Sequence, residues 1–329
     1  MTDAARPLLQ LRDLTVTLPT AHGPQAALRG VSFALERGAT LGLVGESGCG
    51  KSLTALALMG LLPDRAEVGG SIRLAGQELT ALDDAAWARL RGDRIGMVFQ
   101  EPMTALNPVH RIGDQIAEPL RLHRGLDRAA ARAEALRLLE RVRLPRARER
   151  LDAWPHELSG GQRQRVVIAM ALACGPDLLL ADEPTTALDA TLQREVLDLL
   201  DELRRDTGMA LLLISHNLDV MAAHVERLAV MYGGRVVEHG PTRAVFERRA
   251  HPYTRGLFAA RPRLGLARGT RLATIPGRVP ALHEMPPGCA FADRCALADA
   301  DCRRAAPPVA AVARGHDVHC LHWAREAPP

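Results

Sequence analysis

Residues Gly45–Ser52 read GESGCGKS, which matches the phosphate-loop pattern GxxxxGKS at every fixed position. The apolar run Thr40–Val44 before it is typical of a strand, and the residues after it, LTALALMGLL, are rich in helix formers. Glycines let such a loop turn its backbone N–H groups toward an anion, and the positive end of the following helix faces the same anion. A glycine turn without a ligand is the alternative. The order of strand, glycine loop and helix favours a nucleotide phosphate site in an α/β fold.

Lys51, inside this loop, is the only lysine among the 42 basic residues; all the others are arginines. A slender ammonium fits a tight backbone loop that a branched guanidinium would not fit. We expect Lys51 to reach the β- and γ-phosphates of a nucleotide and Ser52 to bind Mg²⁺. The residues of this segment predicted to bind the nucleotide are Gly45, Glu46, Ser47, Gly48, Cys49, Gly50, Lys51, Ser52 and Leu53.

Two further apolar runs end in polar residues. Leu178–Ala181 precedes Asp182 and Glu183, the pattern of a buried parallel strand that ends in acids. We expect Asp182 to hold the Mg²⁺ through water and Glu183 to polarise the attacking water. The run Ala210–Ile214 leads to His216, whose imidazole can form a hydrogen bond with a γ-phosphate. Each pattern alone also fits a strand that leaves the core, so both predictions depend on the phosphate loop.

The stretch Leu158–Val166, LSGGQRQRV, precedes a helical run and is interpreted as a second anion-binding helix start. Ser159 can cap this helix, and Gly160 and Gly161 allow close approach of the backbone to a phosphate. As a bare pattern it is only a helix cap. The phosphate loop upstream favours the functional interpretation.

Composition excludes several classes of protein. The 329 residues are 47% hydrophobic and 24% charged, which is typical of globular proteins. The longest apolar stretch, Val166–Cys174, is far shorter than the roughly 20 residues that span a bilayer, so a membrane role would need a partner. The first residues, MTDAARPLLQLRDL, contain acids and no apolar segment, so we expect no secretory signal and a cytoplasmic protein. A net charge of +4 is too small to predict nucleic-acid binding.

Periodicity predicts two helices. In 129–144 the apolar stripe consists of Leu136, Leu139 and Val142, at spacing i, i+3, i+6. In 191–203 we expect a second stripe to face the core; its members are Leu192, Val196, Leu199 and Leu203.

Together these motifs resemble the nucleotide-binding subunits of ATP-binding cassette (ABC) transporters, over essentially the whole chain. The likeness includes VFQEPMTALNP around Gln100 and TTALDA with Asp189. It implies an α/β phosphate-loop ATPase core with an antiparallel β subdomain and a helical signature subdomain. It also implies that two ATP molecules lie between two subunits, with Lys51 and Ser52 acting in cis. The signature residues that would act in trans, on the ATP bound by the other subunit, are Ser159, Gly161 and Gln162. Gly160, in the same segment, is also predicted to bind the nucleotide.

The resemblance assigns roles to the remaining site residues. Gln100 would bind Mg²⁺ and join Glu183 and His216 in catalysis, and Asp189 would lie at the nucleotide. Two residues depart from the family pattern. The first strand lacks the aromatic that stacks on adenine and offers only Leu18, which implies weaker stacking or aliphatic packing. Asn217 follows the histidine where aspartate is common.

A closer resemblance is to the ATPases of the peptide and nickel importer branch. It is carried by MALAC at 170–174, VMYGGRVVEHG at 230–240, HPYTRGL at 251–257 and IPGRVPALHEMPPGCAFADRC at 275–295. It implies ATP hydrolysis that powers uptake of di- or oligopeptides, with nickel, opine or glutathione as alternative solutes. The implied partners are a second homologous ATPase, two membrane permease subunits contacted by Met103–Pro108, and an extracytoplasmic solute-binding protein, with no nucleic acid. The chain would lie at the cytoplasmic face of the cell membrane.

Two hypotheses of other classes remain. An ABC ATPase that acts on DNA or ribosomes would carry a long coiled-coil insertion or a second cassette, and the sequence shows neither. A regulatory module that senses redox state through its cysteines would hydrolyse little ATP, and the presence of Glu183 and His216 argues against it.

The predicted boundaries are 1–250 for the cassette, about 101–165 for the helical subdomain, and 251–329 for a small Cys-rich C-terminal domain. Six cysteines in a reducing compartment suggest packing or metal before disulfides. The four in the C-terminal segment have neither a CxxC knuckle nor a ferredoxin spacing. The resemblance points to a 4Fe-4S cluster; Zn²⁺ and plain thiols are the alternatives. The implied ligands are Cys289, Cys295, Cys302 and Cys320, and the histidines considered for zinc are His316, His319 and His322.

Overall fold

The structure, a computed structural model, describes residues 7–100, 102–186, 188–261 and 273–325. Its strands, numbered in chain order, are β1 Leu9–Thr20, β2 Gly23–Leu35, β3 Thr40–Val44, β4 Glu67–Leu74, β5 Gln77–Glu78, β6 Ile95–Val98, β7 Leu178–Asp182, β8 Ala210–Ile214, β9 Arg227–Tyr232, β10 Arg235–Pro241, β11 Ala310–Ala313 and β12 His316–Val318. Its helices are α1 Lys51–Leu58, α2 Asp84–Leu90, α3 Pro102–Ala105, α4 Ile112–Arg124, α5 Arg128–Arg141, α6 Ala147–Arg150, α7 Gly160–Ala171, α8 Ala190–Thr207, α9 Leu218–His224, α10 Thr242–Arg248, α11 Pro252–Ala259 and α12 Ala300–Arg304. Short 3-10 helices cover Pro155–Glu157, Leu282–Glu284 and Ala292–Arg294.

The chain divides into two compact units. The first contains the described residues of Leu35–Thr40 and Ala81–Ile214, together with Pro7 and Leu8. The second contains Leu9–Ala34, Leu41–Thr80 and the described residues from Ser215 onward. Within the described ranges, no helix has both the length and the apolar character needed to span a membrane.

In the first unit, three parallel strands lie side by side in the order β6-β7-β8. Leu178 of β7 pairs with Ile95 on one side and Ala210 on the other. All residues of these strands are buried, as expected of parallel strands covered on both faces. The strands predicted from the two apolar runs are confirmed. β7 ends on Asp182, which places that carboxylate at the carboxyl edge of the strands.

The helices α4, α5 and α7 pack on one another in the same unit. The stripe predicted for α5 is wrong at Leu136, which is half-buried, whereas Leu139 and Val142 are buried. Six residues advance a helix by about 600°, so positions i and i+6 lie on different faces. The face that α5 buries consists of Ala131, Ala135, Leu138 and Leu139.

The helix α8 is amphipathic as predicted. Val196, Leu199 and Leu203 are buried, whereas Leu192 at its first turn is half-buried. The helix ends at Thr207, and Gly208 after it adopts the left-handed conformation (φ 68°) common just after a helix. Its buried apolar stripe forms part of the core of the unit.

The second unit contains one sheet of order β2-β1-β4-β5, in which β1 and β4 run antiparallel. In addition, β3 pairs in parallel with β9, and β10, β12 and β11 follow in antiparallel pairs. Glu238 of β10 pairs with Val318 of β12, so strands of the C-terminal segment continue the strand array that contains β3. Residues 45–50 connect β3 to α1. The sheet edge that carries the phosphate loop and the C-terminal segment therefore belong to one folded unit.

Candidate functional site

The phosphate loop has the backbone conformation that its glycines permit. Gly48 and Gly50 have φ values of 79° and 103°, in the left-handed region that favours glycine. A Cβ on Gly50 would also lie 2.7 Å from Leu28 Cδ2. Gly50 precedes α1 and provides no side-chain cap, so the first N–H groups of that helix remain available to an anion.

Lys51 folds back over its own loop. Its Nζ donates to the carbonyl oxygens of Gly45 at 2.8 Å and of Glu46 at 3.0 Å, and lies 3.7 Å from Cys49 Sγ. The lysine is 7% exposed, while the neighbouring Ser52 is exposed. The ammonium is therefore held at the loop, where carbonyl contacts can be exchanged for phosphate oxygens.

His216 lies in the same unit, just after β8, and is exposed. Asn217 begins α9: its Oδ1 accepts hydrogen bonds from the N–H of Asp219 at 2.9 Å and of Val220 at 3.4 Å. An amide oxygen caps a helix as a carboxylate does, which accounts for asparagine at this position. Leu18, on β1 of the same unit, is half-buried.

The acids of the first unit lie at the end of β7. Asp182 is 4% exposed. Glu183 follows with φ 46°, a left-handed conformation that is unfavourable for a residue with a Cβ. Its N–H donates to Ile214 O at 2.9 Å and its Oε2 accepts from Thr186 Oγ1 at 3.0 Å. Six other non-glycine residues among the described ones also have positive φ values, so strain alone does not identify a site; together with its position beside the buried Asp182 at a strand end, it makes Glu183 a functional candidate.

The signature segment forms a capped helix start in the first unit. Ser159 Oγ accepts from the N–H of Gln162 at 3.3 Å, and Gln162 Oε1 accepts from the N–H of Ser159 at 3.1 Å. Gly161 is buried, and a Cβ there would lie 3.3 Å from Leu192 of α8, whereas Gly160 is exposed. Ser159 and Gln162 thus have a structural role in the capping box of α7.

Two further predicted residues of the first unit lie at element ends. Gln100 is exposed and follows β6, while the next residue, Glu101, lies outside the described residues. Asp189 caps α8: its Oδ1 accepts from the N–H of Thr191 and of Leu192, both at 3.0 Å. Ala187 of the TTALDA segment is also outside the described residues.

The four C-terminal cysteines line one pocket in the second unit, together with His251 and Phe291 among others. They come from separate local structures: a loop, the end of a 3-10 helix, α12, and the segment after β12. Burial raises the pKa of the Cys320 thiol to about 11, and the other three thiols add to this shift. The sequence grouped these residues, Cys289, Cys295, Cys302 and Cys320, and the structure brings them together.

The histidines considered for zinc lie differently. His322 lines the cysteine pocket, and its Nε2 is 2.6 Å from Asp299 Oδ2; these two residues and Cys302 have ligand atoms within 4.8 Å of one another. His316 is fully buried and pairs through Nε2 with Glu238 at 2.9 Å. His319 lines a different pocket.

Comparisons with known proteins agree with these features. Residues 28–186 match the ABC transporter family, and residues 237–302 match the oligopeptide/dipeptide transporter C-terminal region. The chain is 50% identical to a peptide import ATP-binding protein of Brucella melitensis, over 97% of this chain and 98% of that protein. It is 47% identical to the oligopeptide transport ATP-binding protein OppD of Salmonella typhimurium, over 96% of this chain and 94% of that protein.

Solved structures give the same result for the fold. An ATP-binding cassette solved as a dimer in a post-hydrolysis state with ADP and Pi superimposes with a TM-score of 0.64 at 30% identity, covering 71% of this chain and 99% of that one. A Clostridium perfringens protein, part of an ABC transporter complex, superimposes with a TM-score of 0.63 at 26% identity, covering 74% of this chain and 92% of that one. The chain therefore belongs to the ATP-binding cassette ATPases, in the oligopeptide and dipeptide transporter branch.

Proposed function

We propose that this ATPase powers the import of di- or oligopeptides through separate membrane permease subunits. The observation that carries the proposal is identity of 47–50% to peptide import and oligopeptide transport ATP-binding proteins over nearly the full length, including the C-terminal region. The nickel, opine and glutathione importers are the competing assignments. An ATPase that acts on nucleic acid or ribosomes is less well supported, because the relatives named above are transport proteins.

Each proposed role in ATP hydrolysis follows from the chemistry of the residue. The uncapped N–H groups of α1 and the Lys51 ammonium suit the phosphates, and the exposed Ser52 hydroxyl suits Mg²⁺, with Asp182 and Gln100 as its further ligands. Glu183 would polarise the attacking water, and His216 would donate a hydrogen bond to the γ-phosphate. The signature residues would complete the nucleotide contacts of a partner ATPase, and Asp189 would lie at the nucleotide.

Glu183→Gln tests the hydrolytic part of this proposal. The amide keeps the shape of the side chain but cannot polarise water, so turnover should fall by about 100-fold or more. Binding of MgATP should stay within about threefold, because the phosphate contacts are retained. Near-normal steady-state turnover would remove Glu183 from this role.

The transport part requires the assembled complex. We propose a second homologous ATPase, two permease subunits and an extracytoplasmic solute-binding protein as partners, with this chain at the cytoplasmic face of the membrane. Proteins that copurify with the chain from detergent-solubilised membranes should be reconstituted in liposomes with their binding protein. Peptides should stimulate ATP hydrolysis, and the Glu183→Gln complex should not respond. Stimulation by nickel, opine or glutathione alone would reassign the solute.

We also propose that Cys289, Cys295, Cys302 and Cys320 bind one 4Fe-4S cluster, with Zn²⁺ as the alternative. Four thiols around one pocket fit either metal centre. A small segment with few aromatic residues buries little apolar surface, and such segments are commonly stabilised by metal. The cluster would act as a structural cross-link, since its four ligands come from four separate local structures.

A further inference from the structure

Glu46, the second residue of the phosphate loop, is held at three of its groups. Its backbone N–H donates to Tyr253 Oη at 2.7 Å, and its carbonyl oxygen accepts from Lys51 Nζ at 3.0 Å. Its carboxylate accepts from both terminal nitrogens of Arg294, at 2.6 and 3.0 Å. Two residues more than 200 positions away in the sequence therefore fix a loop whose other residues, apart from Lys51, are glycines or have small side chains.

The Arg294 side chain is itself immobilised. It is 5% exposed, its Nε donates to Pro276 O at 2.7 Å, and a terminal nitrogen donates to Tyr232 Oη at 3.2 Å. Its guanidinium carbon lies 5.7 and 5.8 Å from the ring centres of Tyr232 and Phe291. The hydrogen bond to Glu46 raises the pKa of the guanidinium above its usual range. A planar guanidinium that is fixed in this way and donates two hydrogen bonds to one carboxylate forms a strong ion pair with a defined geometry.

Arg294 belongs to the segment 289–320 that carries the four C-terminal cysteines, called the cysteine segment below. It ends the 3-10 helix Ala292–Arg294 and directly precedes Cys295, while Phe291 lines the cysteine pocket. Tyr253 packs between the same groups, with ring centres 4.6 Å from Tyr232 and 5.4 Å from Phe291. The cysteine segment and the rings of Tyr232, Tyr253 and Phe291 thus form a rigid support for Glu46.

We infer that Arg294 is a positioning residue for ATP binding: it holds Glu46, and through Glu46 the carbonyl on which Lys51 rests. This inference depends on the proposed role of the phosphate loop. Without the ion pair the loop samples more conformations, and binding must order it again. The dissociation constant for MgATP, and the KM, should rise about tenfold, the size expected when a charged hydrogen bond is lost. The kcat at saturating MgATP should change less than threefold, since Arg294 touches no reacting group.

A double-mutant cycle tests the inference on the full chain. Arg294→Gln, Glu46→Gln and the double variant should be titrated with a fluorescent ATP analogue and Mg²⁺. Each single change should raise the dissociation constant about tenfold, and the double variant should bind no more weakly than the single ones. Arg294→Lys should recover part of the loss. Arg304→Ala, which removes an exposed ion pair with Asp301 in the same segment, should bind like the unaltered chain.

The outcomes distinguish failure of the inference about Arg294 from failure of the phosphate-loop proposal. Unchanged affinity in Arg294→Gln, or fully additive losses in the double variant, would overturn the inference. If Arg294→Gln loses metal or fails to fold, the milder Arg294→Lys takes its place in the cycle with Glu46→Gln, and unchanged affinity in Glu46→Gln would overturn the inference as well. Lys51→Ala is measured beside them. If that variant also binds normally, the phosphate-loop proposal has failed instead.

Discussion

The phosphate loop and the cysteine pocket lie in the same folded unit but are built in opposite ways. The loop is one continuous stretch, Gly45–Ser52, and its backbone groups and one lysine make the site. The pocket collects thiols from positions 289 to 320, and its chemistry lies wholly in side chains. A backbone site needs a fixed local pattern, so its sequence is diagnostic. A site built from side chains requires only that those side chains meet in the fold, so the sequence does not identify the metal that binds there.

The largest effect that separates the two sites is expected from Lys51→Ala. Loss of the ammonium removes direct phosphate contacts, so the dissociation constant for MgATP should rise by about 100-fold or more. The metal content of the cysteine pocket should stay unchanged. Calorimetric titration and metal analysis of the same preparation check both points, with Arg304→Ala as a matched surface control. Loss of metal in this variant would show that the cysteine pocket depends on the phosphate loop, contrary to this expectation.

Cys302→Ser is the reciprocal change. Cys302 is 7% exposed on α12, and its backbone carbonyl accepts from the N–H of Cys289 at 2.8 Å. A serine hydroxyl is a poor ligand for iron–sulfur or zinc centres, so the metal should be lost. The loosened segment carries Arg294, and the dissociation constant for MgATP should therefore rise by up to about tenfold. A variant that keeps its full metal content would remove Cys302 from the ligand set.

The smallest effect is expected from Cys49→Ser. Cys49 belongs to the phosphate loop, is fully buried, and burial raises the pKa of its thiol. Serine is close in size, and the backbone N–H groups that serve the phosphates remain in place. ATP affinity should change by less than about threefold, and the metal content should not change. Loss of the metal in Cys49→Ser would place Cys49 among the metal ligands.

The sequence predicted the parts of the fold that depend on local pattern. The strands β3, β7 and β8 lie where the apolar runs indicated, and a helix follows the glycine loop as expected, although it begins at Lys51, two residues before the predicted run. It did not predict the left-handed conformation of Glu183, which tertiary structure imposes on a residue type that does not favour it. The buried face of α5 was assigned wrongly at Leu136 because a spacing of six residues does not stay on one face.

The contact between Glu46 and Arg294 was also beyond sequence reasoning. A glutamate at a variable position of a phosphate loop has no local requirement for a charge, and nothing in the sequence selects Arg294 as its partner from the 41 arginines of the chain. The pairing depends on how the cysteine segment folds against β9 and α11, through Tyr232, Tyr253 and Phe291. Such contacts become visible only when the positions of the side chains are known.

Metal analysis of the full chain, purified without oxygen, tests most directly whether the cysteine pocket differs from the phosphate loop in the way proposed. Four iron atoms and four acid-labile sulfides per chain are expected, with a broad visible absorption that Cys→Ser changes at positions 289, 295, 302 or 320 remove and Cys174→Ser does not. One zinc per chain without iron would contradict the cluster and assign the pocket to Zn²⁺.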